Sequence, residues 1–158
     1  MGRFLFVSIG LLVVAFTQSG IGANLFCPYD WISHNTSCYK LFKHWMTWDK
    51  AQRFCMEQYE NSQLASISDV EESVKLSNYI SKKLILTDVW IGLRLSKRTG
   101  IWEWSDGSNS TYTSWKEGEP NNFFNIEFCT VLSATTRYLQ WNDKYCSLWL
   151  PFVCKFQP

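Results

Sequence analysis

Three observations predict an α+β domain: two stretches of helical periodicity in the first half of the chain, short β-rich segments from residue 89 onward, and a long polar loop region interrupting them. The first helix is expected from Thr47 to Gln58, where Trp48, Ala51, Cys55 and Tyr59 recur at intervals of three and four on one face and carry Cys55 into the core. Ser68-Asp69-Val70-Glu71 reads as a capping box, a serine followed three residues later by a glutamate. It opens a second helix to about Ser81, with Val70, Val74 and Ile80 on the buried side. The period then changes. Val89–Leu93, Ile101–Trp104, Phe128–Leu132, Tyr138–Trp141 and Pro151–Phe156 are expected strands. The Ser-, Asn-, Gly- and Glu-rich residues 105–127 are a long loop, and loops of that length in a compact domain are usually functional or disordered.

Residues 1–23 have the organisation of a secretory signal peptide: Arg3, an apolar stretch from Phe4 to Phe16 and a small-residue end at Gly22-Ala23. The apolar core is shorter than the ~20 residues of a membrane anchor, so no membrane insertion is expected. Cleavage after Ala23 leaves residues 24–158 as one domain. Of the 15 Lys and Arg only Arg3 falls in the leader, so the remainder balances the 14 Asp and Glu. A neutral chain gives no electrostatic case for nucleic acid.

All six cysteines, Cys27, Cys38, Cys55, Cys129, Cys146 and Cys154, follow the leader. An even count in a secreted chain reads as a disulfide framework. Zinc would want Cys-x-x-Cys pairs or Cys with His, and neither pattern is present. Spacing alone leaves the pairing open, although Cys27 and Cys38 flank a segment suited to a hairpin. Asn35-Thr36-Ser37 and Asn109-Ser110-Thr111 are N-glycosylation acceptor sequences.

The loop Glu119-Pro120-Asn121-Asn122-Phe123-Phe124-Asn125-Ile126-Glu127 and the stretch Trp141-Asn142-Asp143 carry the chemistry. Glu119, Asn121, Glu127, Asn142 and Asp143 offer carboxylate and amide oxygens, and calcium takes six to eight oxygens of such kinds at about 2.3–2.6 Å. Taken separately, either segment is ordinary solvated turn chemistry. A bridge between Cys129 and Cys146 would bring the two together. Pro120 matters because X-Pro bonds tolerate the cis form, which would aim both flanking side chains at one ion. Glu119 and Glu127 are also conceivable as a glycosidase acid and base, but that chemistry needs the two carboxyls in different environments, and a shared cation would hold both ionised. His34 and His44 lie far from the loop in sequence, so no catalytic residue and no enzyme is expected.

Glu-Pro-Asn, then Glu-x-Cys, then Trp-Asn-Asp-x-x-Cys, in that order, resembles the calcium and sugar site of C-type lectin domains. Trp90-Ile91-Gly92-Leu93 and Trp102-x-Trp104-Ser105-Asp106-Gly107 match further marks of the same family, so the resemblance covers nearly the whole chain after the leader. The chain looks similar to the secreted, lectoxin-like C-type lectins of snake venoms. The resemblance implies a C-type lectin-like fold, with two helices flanking small antiparallel sheets and a long calcium- and sugar-binding loop. It also implies the disulfides Cys27–Cys38, Cys55–Cys154 and Cys129–Cys146. The five oxygen-bearing residues are then both metal ligands and sugar contacts, and Glu-Pro-Asn implies mannose-type glycans on cell-surface glycoproteins. Phe123, two residues after Asn121, stands where galactose-binding relatives often carry an aromatic that stacks on the sugar.

One calcium per chain is expected, because the positions aligned with an auxiliary site are Leu95, Thr99, Asn122 and Phe128, none of them a carboxylate. Ser62 aligns with the cysteine that links many venom lectins into dimers, so the expectation is no covalent dimer, with non-covalent association open. The alternative class is the venom branch that keeps the fold, loses calcium and binds clotting factors or platelet receptors.

Overall fold

A computed structural model describes residues 26–158; the expected signal peptide lies outside the described residues. The strands are β1 (Ile32–His34), β2 (Ser37–Met46), β3 (Gln63–Leu64), β4 (Val89–Leu95), β5 (Trp102–Trp104), β6 (Glu127–Leu132), β7 (Trp141–Tyr145) and β8 (Leu150–Phe156), and the helices are α1 (Trp48–Met56) and α2 (Val70–Ser81). The strands join in one sheet of order β1-β2-β8-β4-β6-β7, with β3 on β8 and β5 on β4. Every pairing is antiparallel except β4 with β8.

β4 explains the layering. Successive strand residues point to opposite faces, and here Val89, Ile91 and Leu93 enter one apolar cluster while Trp90 enters the other. Leu76 and Ile80 of α2 cover the first cluster, and Trp48, Ala51 and Cys55 of α1 cover the second. Each helix thus contributes apolar side chains to the cluster on one side of β4. Two buried indoles pin this centre, Trp48 Nε1 donating to the Ile91 carbonyl at 2.8 Å and Trp90 Nε1 to the Met46 carbonyl at 3.0 Å. Gly92 is required by close approach: a Cβ there would lie 2.6 Å from the Leu64 carbonyl oxygen and 2.7 Å from Ser105 Oγ.

The three disulfides are Cys27–Cys38, Cys55–Cys154 and Cys129–Cys146, as the resemblance implied. Cys55–Cys154 ties α1 to β8 across a sequence separation of 99. In the chain-entropy account a loop of that size removes roughly 4–5 kcal/mol of unfolded-state freedom.

The second helix differs from its expected form. Asp69, not Ser68, is the N-cap, its carboxylate accepting from Glu72 N at 2.7 Å. The glutamate of the box is therefore Glu72, which turns back to accept from Ser68 N at 2.7 Å and Ser68 Oγ at 2.6 Å. The buried face also differs in part: Val70 and Val74 are exposed, whereas Glu72, Ser73, Leu76, Ser77 and Ile80 are buried. On α1, Tyr59 lies past the helix end and is exposed.

Tyr138–Trp141 is not a strand. Arg137 and Tyr138 have φ of 52° and 66°, a left-handed turn that stops pairing until β7 opens at Trp141. β2 is a ten-residue strand of which only Ser37 and Cys38 fall within the segment expected as a hairpin; the rest is not among the expected strands. Ser62 is 1 % exposed, so a side chain there faces the interior, and its identity says nothing about covalent dimers; the six bridged cysteines carry that expectation instead.

Candidate functional site

Trp141 supports the long loop. It is fully buried, with the rings of Trp104, Tyr112 and Trp115 edge-on at 5.6, 5.7 and 5.6 Å. Its N–H donates to the Ser114 carbonyl at 2.7 Å and its carbonyl accepts from Lys116 N at 2.9 Å. The loop is therefore fastened to the start of β7, the strand that carries Asn142 and Asp143. These aromatics fill the core and prop the loop; they form no open platform, although Trp45 and Trp149 are exposed elsewhere.

From this post the chain turns at Gly118 (φ 80°) into Glu119-Pro120, whose peptide bond is cis. Backbone N–H groups then gather on carboxylates. Asn121 N donates to Glu119 Oε2 and to Asp143 Oδ1, both at 3.2 Å, and Asn122 N donates to Asp143 Oδ2 at 2.6 Å. Phe123 N donates to Glu127 Oε2 at 3.2 Å, and Glu127 N donates back to Asn122 Oδ1 at 3.0 Å. In the β6–β7 ladder Thr130 faces Asp143 and Val131 faces Asn142, with Cys129–Cys146 closing the pair of strands. Glu119, Asn121, Glu127 and Asp143 are thus connected through a few backbone donors, and Asn142 adjoins Asp143.

The site's electrostatics are unbalanced. Asp143 is fully buried, and none of the three salt bridges among the described residues involves Glu119, Glu127 or Asp143. The Glu119 carboxyl is pushed above its ordinary value, first by burial and then by its hydrogen bond and charge contact with Asp143. Asn142 Oδ1 is buried with no hydrogen-bond partner, as are Thr130 Oγ1 and Trp141 Nε1 nearby. An orphaned buried acceptor costs about 1–3 kcal/mol, so it calls for an explanation. Asn142 Oδ1 and the lone pairs left on three carboxylates fit a hard divalent cation, which takes oxygen from amides and carboxylates alike. No group of three or more His, Cys, Asp or Glu side chains is already drawn into a metal cluster among the described residues. The oxygen set depends on the two amides as much as on the acids.

Asn122, which the sequence reading cites only as a non-carboxylate that argues against a second calcium, ties the loop together. Its N–H holds Asp143, its Oδ1 holds Glu127, and its φ is 43°. Asparagine enters the left-handed region more readily than most residues, and the Asn121-Asn122 pair was the available signal. Asn35 and Asn109, the two acceptor asparagines, are both exposed, Asn35 at a left-handed φ of 49° in the β1–β2 turn.

The Lectin C-type domain family matches residues 44–156. The chain is 76% identical over 158 residues to a C-type lectin 1 of Hydrophis hardwickii, covering 100% of this chain and 96% of that one. It is 66% identical over 156 residues to lectoxin-Phi1 of Philodryas olfersii, covering 99% and 100%. A galactose-binding isoform of a C-type lectin from Hoplocephalus stephensii is 43% identical over 156 residues, covering 98% of each chain. Among solved structures, human lithostathine superposes with a TM-score of 0.80 at 30% identity, covering 86% of this chain and 94% of that one. The cow carbohydrate-recognition domain of CD23, solved in the presence of a GlcNAc2Man3 oligosaccharide, gives 0.71 at 28% identity, covering 84% and 98%. The chain belongs to the C-type lectin domain family.

Proposed function

We propose that this chain is a secreted, calcium-dependent lectin of the mannose type, binding cell-surface glycans and agglutinating cells when several sites act together. One observation carries the reading: Asn142 Oδ1 is buried without a partner beside Asp143, a fully buried carboxylate held by backbone N–H groups and not by a cation. Glu119, Asn121, Glu127, Asn142 and Asp143 would hold one ion, and the ion, when bound, offers coordination positions for two neighbouring sugar hydroxyls. The rest is hydrogen-bond polarity. Carboxylates only accept, whereas the amide of an asparagine also donates. Glu119 with Asn121, and Glu127 with Asn142, are therefore acceptor and donor pairs that fix which hydroxyl gives its proton. In the family that order, Glu-Pro-Asn, goes with the equatorial hydroxyl pair of mannose. No proton-transfer group is spare in the set, which favours binding over catalysis.

Isothermal titration with methyl mannoside and methyl galactoside, each in calcium and in chelator, tests this. The expected result is one calcium per chain and mannoside binding only when calcium is present. Sugar binding that survives the chelator, or calcium near two per chain, overturns it.

A further inference from the structure

The loop tip presents an aromatic pair that neither the core nor the oxygen set uses. Phe124 is 78% exposed, Phe123 59% and Ile126 46%, and the two phenyl rings lie 4.3 Å apart. Phe124 sits at φ 53°, ψ 17°, left-handed, as are Asn122 before the pair and Asn125 after it. Asparagine tolerates that region, but for a bulky aromatic residue it is an outlier, which concentrates at ligand clamps. The local hydrogen bonds hold it there: Asn125 N donates to the Asn122 carbonyl at 2.7 Å and Ile126 N to the Phe123 carbonyl at 3.3 Å. The pair is also fastened to the oxygen set through its backbone, Phe123 N on Glu127 and Asn122 N on Asp143. The backbone of Phe123 thus lies 3.2 Å from a carboxylate of the candidate sugar site, and Phe124 is the next residue along the chain. Three apolar side chains are far too little for a stable protein interface of roughly 800 Å² per partner, but they suit an aryl ring or a short alkyl chain.

We propose that Phe124, with Phe123 and Ile126, is a subsite for an apolar group attached to the bound sugar, so that the preferred ligand is a glycoconjugate with an aryl or alkyl aglycone or an acyl substituent. The proposal rests on the sugar-binding reading above. Competition by methyl, phenyl and hexyl α-mannosides for a mannose-coated surface, in calcium, tests it. Phenyl and hexyl mannosides should compete at several-fold to about tenfold lower concentration than the methyl glycoside, the scale expected for burying a small apolar group. Phe124→Ser should bring that ratio close to one while leaving methyl mannoside binding unchanged. Phe124→Trp should restore it, and Leu86→Ser, at a remote exposed position, should not alter it. Equal competition by the three glycosides on the native chain overturns the proposal and leaves the lectin reading standing, as does a ratio that survives Phe124→Ser. Failure of every mannoside to compete overturns the lectin reading, and the subsite with it.

Discussion

Two buried carboxylates in this molecule are treated in opposite ways. Glu72 on α2 is 1% exposed and fully provided for: it accepts from the Tyr39 hydroxyl, Ser68 N, Ser68 Oγ and Lys155 Nζ, the last at 3.0 Å. Lys155 is itself shared with the Ser66 carbonyl at 3.2 Å and Ser66 Oγ at 3.1 Å. Burial, and then the charge of Glu72, push the Tyr39 hydroxyl far above its ordinary range, so it remains a donor. Asp143 on β7 is just as buried, yet it has two backbone donors, no cation and a neighbouring amide oxygen with no partner. The first acid is a closed internal tie between α2 and β8. The second is buried without a counter-charge, and the proposed cation site rests on that imbalance. Burial alone does not separate structural from functional acids; the state of their partners does.

The comparison is broken most severely at Glu72. Glu72→Ala should cost about 3–5 kcal/mol of stability, because it takes the counter-charge from the half-buried Lys155 ammonium and the acceptor from the buried Tyr39 hydroxyl. Asp143→Asn, assayed in chelator, should cost less, about 1–3 kcal/mol, because the amide keeps one acceptor oxygen and leaves one of the two backbone donors unpaired. Urea unfolding of both variants checks this, and similar losses would erase the distinction.

Calcium should stabilise the native chain by about 2.7 kcal/mol at a hundredfold excess over its dissociation constant. It should do nothing for Asn142→Ala, in which the orphaned acceptor is gone. Thermal unfolding with and without calcium reads the difference.

Exchanging polarity sharpens the comparison further. Glu119→Gln with Asn121→Asp keeps the carboxylate count but reverses donor and acceptor, so calcium should still bind while mannose weakens relative to galactose by ten- to a hundredfold, roughly 1–3 kcal/mol. Competition by the two free sugars measures it. An unchanged order with calcium bound refutes the polarity argument.

The smallest effect concerns pH. The Glu119 carboxyl lies above its ordinary value because burial and Asp143 disfavour its charge. Without calcium, that interaction therefore stabilises the fold only at low pH, and the contribution fades as pH rises through the raised value. Calcium binding runs the other way, since it needs the ionised form and weakens as pH falls through the same range. Glu119→Gln should flatten the stability profile in chelator, as denaturant unfolding between pH 4 and 7 would show.

The sequence alone determined the chemistry of the site and the positions of its covalent ties. Hard oxygen donors, a proline beside one of them and an even count of six cysteines are properties of residue type and spacing, which need no folding to be read. Amphipathic period placed α1 because Trp48, Ala51 and Cys55 face one cluster. The same reasoning placed Ile80 on the buried side of α2 correctly but misplaced Val70 and Val74, because the buried face carries Glu72, Ser73 and Ser77, polar residues that an apolar pattern does not pick out. Val70 and Val74 were given up to solvent so that Glu72 could reach Lys155, 83 residues away, a pairing no local pattern encodes. Tertiary structure likewise decided that Asp143 is buried without a cation, that Asn142 keeps an unpaired oxygen, and that Phe124 is held outward in a left-handed turn. Those properties depend on which backbone donors a distant loop delivers to a strand, and they exist only once Trp141 has fastened the loop to β7.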